Sequence, residues 1–534
     1  MLKDKENRPH CLDQSKTPLF DALRQFSDWD PVPFFIPSHK LGAGIDPRFK
    51  AFAGENIFRI DLSEVRWTDD FHGPASSIKE AQELAADAWG AAQSHFLVNG
   101  TSGGVIAAVC SVVGEGDRII VPRNAHKSAV YGLIISGAEP VYVMPETDQG
   151  LDLIGGFSPA ALEKAFELYP DAKAVFTVSP TYHGVMSDTA ALAEIAHMHG
   201  AVLISDEAHG NHMYFSERLP AGALELGADI VCQSTHKMSG ALTQASILHL
   251  GRDAARRVDF DKVRANLSMI QTTSPSYILL ASLDLARSYI ATQGAALLDE
   301  ALDALEKARV DIMALPGMEV LGSEIIGSAG IADYEPTRLV LSARGLGLDG
   351  YSLFRILREQ YDIECEFADP RWCVCVAGLG TTSAHTEKLT AALTEIARGC
   401  VTKGDGLGVT KGDGLPTVTF ARECASRETV PFCHTETVPF CHTPYSGTTL
   451  PPIPPLRMTP RKAWFADKEA VPFEASRGRV SAEMVVPYPP GIPVLCPGEA
   501  VTDEVYEFLD GQRRAGRHLH CAAGDSLATL NVVV

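Results

Sequence analysis

Two short apolar runs end on residues that could do chemistry. Val202 to Ile204 leads into Asp206 and Glu207, and Ile230 to Cys232 leads into Ser234, Thr235, His236 and Lys237. A lysine amine condenses with an aldehyde to a Schiff base once it is desolvated enough to react as a free amine. A carboxylate facing a pyridine nitrogen keeps that nitrogen protonated, so the ring accepts electrons. Asp206 and Lys237, in this order, meet the needs of pyridoxal 5'-phosphate (PLP). Singly, each has a plainer reading, a helix N-cap for Asp206 and a strand-end lysine for Lys237. Their combination favours the chemical reading.

Such residues need a scaffold. Apolar runs of this length, joined by a segment that can form a short helix (Ala221 to Gly227), read as neighbouring strands of a buried parallel sheet. Ligands collect at the carboxyl ends of such strands. LVNGTSGGVIAAVCSVV, residues 97–113, reads as a strand end, a Gly-rich turn and a helix N-terminus, where free N–H groups and the helix dipole bind phosphate. It has neither the Gly-Lys pair of a nucleotide-binding loop nor the spacing of the dinucleotide fingerprint. Residues 118–143 alternate strand, loop, helix and strand, and His126 lies just past the first strand. AVFTVSPTYHG, 174–184, brings Ser179, Pro180 and Thr181 to the sheet rim, with His183 beside them as a site neighbour or, in the plainer reading, a loop histidine.

DEAHG at 206–210 and QSTHKMSGALTQAS at 233–246 resemble the fold type I Orn/Lys/Arg decarboxylases, which are PLP enzymes. PFFIPSHKLGAG, 33–44, resembles their entry motif, and GRVSAEMVVPYPPGIPVLCPGE, 478–499, resembles their C-terminal domain. The resemblance spans roughly residues 31–398 and 450–534 and implies an α/β protein. An N-terminal arm (1–30), expected to dock on a partner subunit, precedes a PLP-binding large domain (31–299) with a mostly parallel seven-stranded sheet. A small α+β domain (300–398) and an α+β C-terminal domain (450–534) complete it.

The resemblance also implies roles. Lys237 would carry PLP, Asp206 would face the pyridine nitrogen and His126 would stack on the ring. Thr101, Ser102, Gly103, Ser234 and His236 would hold the phosphate, with Ala208 also in the cofactor site. His209, Thr272 and Glu483 would contact substrate, Thr272 across a dimer interface and Glu483 at the distal cation, although a surface or structural salt bridge is an equal reading of Glu483. The implied reaction is α-decarboxylation of lysine, arginine or ornithine to cadaverine, agmatine or putrescine, in a homodimer or higher oligomer. Lys237 or a histidine would reprotonate the α-carbon. Another fold type I outcome, transamination or aldol cleavage, would use the same cofactor residues. A catalytically silent polyamine-binding regulator is a further alternative, against which the retained Lys237, Asp206 and His126 argue.

Composition sets the bounds. The 534 residues leave room for about three to four domains, and 46% hydrophobic with 21% charged residues is normal for a globular chain. A net charge of -21 argues against nucleic acid or an anionic membrane as partner. The opening MLKDKENRPHCLDQSK lacks the apolar core of a signal peptide, so a cytoplasmic location is expected. Residues 399–449 break the pattern. VTKGDGLG and VTKGDGLP follow one another at 401–416, and ETVPFCHT occurs twice at 428–443. Two octamer pairs are too short for a solenoid, so a duplicated, disordered insert is expected. Its Cys433-His434 and Cys441-His442 pairs do not have zinc-finger spacing, and no metal is expected.

Overall fold

Alternating apolar strands and helices wind residues 77–270 around one sheet. In the computed structural model, which describes residues 10–401, 450–488, 491–522, 524 and 526–534, this sheet has seven strands. They are β1 (Gln93–Leu97), β2 (Arg118–Pro122), β3 (Glu139–Val143), β4 (Ala174–Val178), β5 (Val202–Asp206), β6 (Ile230–Gln233) and β7 (Ser246–Leu250). Their order is β1-β7-β6-β5-β4-β2-β3. β7 pairs antiparallel with both neighbours, and every other pairing is parallel. The expected mostly parallel seven-stranded sheet is what forms.

Alternation along each strand splits the core between the two faces. Ile119, Val121, Phe176, Ile204 and Cys232 pack with the helix Gly100–Val112 and its neighbours. Ile120, Val175, Leu203 and Val231 pack on the other face with helices Pro159–Leu168 and Thr189–Met198. Helices on both faces require near-continuous apolar strands, which is why these runs show little polar alternation.

The crossover from β5 to β6 departs from expectation. Residues 221–227 form hydrogen-bonded turns, preceded by a 3-10 turn at Met213–Phe215, and no α-helix. The Glu225 and Leu226 N–H groups both return to the Gly222 carbonyl to close one turn, and the Ala223 and Leu224 N–H groups at its start are capped by the Glu207 carboxylate (2.6 Å) and the Tyr214 hydroxyl (3.1 Å).

Helix Tyr277–Met313 runs through the expected domain boundary at 299/300. Its Leu298 and Leu302 belong to the large-domain core, whereas Leu305 and Ala308 pack under a second sheet. That antiparallel sheet comprises β8 (Glu319–Val320), β9 (Arg338–Ser342), β10 (Phe367–Ala368) and β11 (Cys373–Val376). The N-terminal helix Pro18–Trp29 does not await a partner for its apolar side. Leu19, Leu23 and Phe26 are buried in the large-domain core of the same chain. The Asp284 carboxylate accepts the Leu19 and Phe20 N–H groups at that helix's start.

The C-terminal unit pairs Lys468–Pro472 with Thr529–Val533 and Val486–Tyr488 with His518–His520. Helix Asp503–Arg514, capped by Thr502, covers them with Val505 and Leu509 buried. The duplicated octamers, with Cys433, His434, Cys441 and His442, lie outside the described residues.

Candidate functional site

Asp206 closes β5, and strand alternation sends it and Glu207 in opposite directions. Asp206 is buried and lines a cavity, accepting the Ala208 N–H (3.2 Å). Burial raises its pKa, and Lys237 opposes that shift. Glu207 faces away and is fully spent on structure. It accepts from Tyr214 Oη (2.7 Å), Gln233 Nε2 (2.6 Å) and the Ala223 N–H, and burial pushes its carboxyl up to about 8.

Lys237 lies in a one-turn helix, Thr235–Met238, just past β6. Its Nζ is 3.1 Å from His209 Nε2 and 5.5 Å from the Tyr182 ring centre. Burial lowers the amine's pKa, with Asp206 and Glu366 opposing and Arg338 reinforcing it. A desolvated amine beside a buried carboxylate is the arrangement a reactive lysine needs.

His126 follows β2 and does two things at once. It is the N-cap of helix Lys127–Ser136, its Nδ1 accepting the Ser128 N–H (3.3 Å), and its ring lines the cavity. Burial, with Lys237 and Lys127 nearby, lowers its pKa to about 4. The ring is thus neutral at ordinary pH, with its proton on Nε2.

The Gly-rich turn starts helix Gly100–Val112, whose first N–H groups, from Asn99 to Ser102, have no acceptor within the helix. Gly100, Thr101 and Ser102 line the cavity. Ser234, Thr101 and Ser246 form a hydroxyl chain at 2.5 and 3.0 Å, joining this turn to the ends of β6 and β7. Gly103 lies one step further in, off the cavity. A Cβ there would sit 3.1 Å from Asn99 Cβ, so its smallness serves helix packing. His236 lines the cavity and donates from Nδ1 to the Ala245 carbonyl (2.8 Å).

Of the three residues expected at the substrate, one lies on the cavity wall. His209 is buried on the cavity wall against Lys237. Thr272 is exposed and off this chain's cavity, its hydroxyl accepting the Ser274 N–H (3.1 Å). Glu483 needs correction. It is buried within the C-terminal unit, where its carboxylate accepts the Ala522 and Asn531 N–H groups, and it does not reach the cavity.

The cavity holds about 400 Å³, in the range of small-molecule sites. His183, one reading of which was a site neighbour, lines its rim and holds Asp369 (2.8 Å), which lines it too and which sequence reasoning missed. Asp369 sits in the DPRW turn, and its Oδ1 accepts the Arg371 and Trp372 N–H groups. Leu450, Ile492, Val494 and Phe508 of the C-terminal unit make an apolar wall. Arg123, from the loop that carries His126, holds that wall through a doubly hydrogen-bonded ion pair with Glu499 (2.7 and 2.8 Å) and a bond to the Val494 carbonyl (2.7 Å).

A seven-stranded sheet with one reversed strand, a small antiparallel domain and a strand-end lysine opposite an aspartate make the fold type I arrangement. The chain superposes on Francisella novicida lysine decarboxylase LdcF with a TM-score of 0.75 at 19% identity, covering 97% of this chain and 81% of that one. The sequence matches the Orn/Lys/Arg decarboxylase major domain over residues 17–383 and its C-terminal domain over 449–519. It is 39% identical to an arginine decarboxylase of Halalkalibacterium halodurans over 97% of this chain and 98% of that one. With an arginine decarboxylase of Bacillus subtilis it shares 38% identity over 98% and 99% of the two chains. The lysine decarboxylase LdcA of Pseudomonas aeruginosa is 27% identical over 92% of this chain and 75% of that one. The chain belongs to the Orn/Lys/Arg decarboxylase family, which is of the PLP type, and is a decarboxylase of basic amino acids.

Proposed function

We propose that this enzyme decarboxylates L-arginine to agmatine, with PLP held on Lys237. One observation carries the reading of the site: the desolvated Lys237 amine shares a cavity of about 400 Å³ with Asp206, His126 and the start of helix Gly100–Val112. The substrate follows the relatives. Proteins named arginine decarboxylase match at 37–39% identity over nearly the whole chain, and lysine decarboxylases at 25–27%.

The residues present fit PLP. The free N–H groups at the start of helix Gly100–Val112, with Ser102, Ser234 and His236, would hold the phosphate. Asp206 would pair with the ring nitrogen, and the neutral His126 ring would lie against the cofactor. Ala208 would border the ring, and Thr101 would orient Ser234. Asn124 Oδ1 is buried at this cavity with no partner among the described residues, and a bound polar group would satisfy it. Bound PLP supplies the electron sink for the pair left when carbon dioxide departs. Lys237 would hold the cofactor between turnovers and, once released and protonated, would be the group placed to return a proton to the α-carbon.

The apolar wall of Leu450, Ile492, Val494 and Phe508 excludes water, which favours losing a charged carboxylate as neutral carbon dioxide. Besides Asp206, the carboxylate among the described lining residues is Asp369, and we assign it to the distal guanidinium. The enzyme acts in the cytoplasm as at least a homodimer in this reading. Phe34 and Phe52, exposed by 94% and 92%, suit burial against a second copy. No described helix is long and apolar enough to cross a membrane.

The test is incubation of the full chain and PLP with arginine, lysine and ornithine separately, with products identified. Agmatine with stoichiometric carbon dioxide is expected. Cadaverine or putrescine as the main product would move the substrate. A keto acid without carbon dioxide would indicate transamination, and a bound polyamine without turnover would indicate a regulator.

A further inference from the structure

His209 stands between the Lys237 amine and a fully buried arginine, Arg338, that begins β9. Arg338 Nη2 lies 3.2 Å from His209 Nδ1 and 3.3 Å from the His209 carbonyl oxygen, with Met238 Sδ at 3.6 Å. Its other nitrogen, Nη1, is held by Thr337 Oγ1 (2.8 Å) and Glu335 (3.0 Å). Glu335 is itself fixed by His212 Nε2 (3.2 Å) and the Thr337 N–H (2.9 Å). The guanidinium cannot rotate away without leaving these buried partners unpaired.

Donor and acceptor counting then fixes the protons. A guanidinium only donates, so His209 Nδ1 accepts. A neutral imidazole accepting at Nδ1 carries its hydrogen on Nε2. That hydrogen points at Lys237 Nζ, 3.1 Å away. An ammonium has no lone pair to accept it; a neutral amine does.

We infer that Arg338 and His209 are positioning residues that set the protonation of Lys237: Arg338 locks His209 as the Nε2–H tautomer, and His209 donates to Lys237 as an unprotonated amine. The inference rests on Lys237 being the PLP lysine and goes beyond that reading. It says how the lysine is kept nucleophilic in the free enzyme, before the cofactor is held on it. The charged and titratable groups around the amine are Asp206 from β5, Glu366 beside β10, Arg338 from β9, His126 at its helix cap and His236 in the lysine's own turn. Asp206 and Glu366 favour the ammonium. Burial, the cations and the His209 donor oppose it, and the donor is a contribution the sequence gives no hint of.

The experiment is the pH dependence of PLP capture by the full-length apoenzyme, followed by absorbance in single-turnover binding with no amino acid present. In His209→Phe the ring shape is kept and both nitrogens are lost. Capture near neutral pH should be roughly tenfold slower, with the profile displaced to higher pH, because a smaller fraction of Lys237 is the free amine. His209→Gln, which can accept from Arg338 and donate to the lysine, should recover much of the loss. If His209→Phe does not fold, Arg338→Lys carries the test, since a point charge replaces the fork and the profile should move the same way. An unmoved profile in a folded variant overturns the role of His209. A structural role alone would lower the amount of competent protein without moving the profile. Peptide mapping of the reduced wild-type enzyme separates the two levels. A label off Lys237 defeats the site reading itself, whereas a label on Lys237 with an unmoved profile defeats this inference alone.

Discussion

The cavity has two sides built on different principles. The floor comes from the large domain, where strand ends deliver Asp206, His126, Lys237 and the Ser234–Thr101–Ser246 hydroxyl chain. The opposite wall comes from the C-terminal unit and is mostly apolar, with Leu450, Ile492, Val494 and Phe508 facing in. In the proposed function the floor would hold and activate, and the wall would keep water out. Two glutamates within the C-terminal unit have different tasks. Glu483, in the stretch most like the family's C-terminal domain, is spent on backbone N–H groups, whereas Glu499 clamps the wall to the His126 loop through Arg123.

Damage to the floor should abolish chemistry. Lys237→Ala is expected to lose covalently held PLP and all measurable turnover. Asp206→Asn should keep PLP bound yet slow carbon dioxide release by several orders of magnitude, because the electron sink is lost. Near-normal turnover of a PLP-loaded Asp206→Asn enzyme would remove Asp206 from its role.

Breaking the clamp should undo the wall first. Glu499→Gln leaves Arg123 as a buried charge short of its partner, and losses of this kind cost about 3–5 kcal/mol. The expected outcome is lower stability in denaturant and earlier proteolytic cleavage in residues 450–534, with PLP still reducible onto Lys237 in the folded fraction. Unchanged protease resistance would make the ion pair incidental.

Asp369→Asn sharpens the comparison on the substrate side. If Asp369 meets the guanidinium, KM for arginine should rise by tenfold or more while kcat changes less. An equal fall in kcat and kcat/KM with KM unchanged would place Asp369 in the chemistry or the fold instead.

Much of the floor was legible because each of its residues follows a short apolar strand within a local motif. Asp206 and Lys237 needed only their own strands, and the seven-stranded sheet needed only runs such as Val202 to Ile204. His126 was read as a cofactor contact, and the structure shows it capping a helix as well as lining the cavity wall. The wall was not legible, because its residues are ordinary apolar side chains whose convergence depends on long-range packing. Asp369 was hidden in DPRW, where an aspartate accepting two N–H groups looks like any turn former. Glu483 misled because a carboxylate that caps backbone donors has no sequence signature. Residues 221–227 close as a single turn, with the Glu225 and Leu226 N–H groups both returning to the Gly222 carbonyl, and the chain enters β6 before a second turn can form.

The smallest expected effects lie behind the floor. Glu207 has its carboxyl pushed up to about 8 by burial, against an ordinary value of 4.5. Between these values the folded state keeps a proton that the unfolded state releases, so this group's contribution to stability is lost as pH rises through that window. Glu207→Gln removes the dependence. Its Tm relative to wild type should be higher at about pH 8.5 than at about pH 5, and a constant difference would show that the carboxyl is ionised throughout. Smaller still should be the replacement of residues 401–443 by a Gly/Ser linker. Each doubling of loop length changes closure by only about 0.6 kcal/mol, so PLP binding and turnover should persist.

The most direct measurement is borohydride reduction of the PLP-loaded enzyme followed by peptide mapping of the pyridoxyl group. The label is expected on Lys237, in the peptide that follows Ser234, Thr235 and His236. A label on Lys127, at the start of its helix, or on Lys40, whose amine donates to the Phe35 carbonyl, would contradict the assignment.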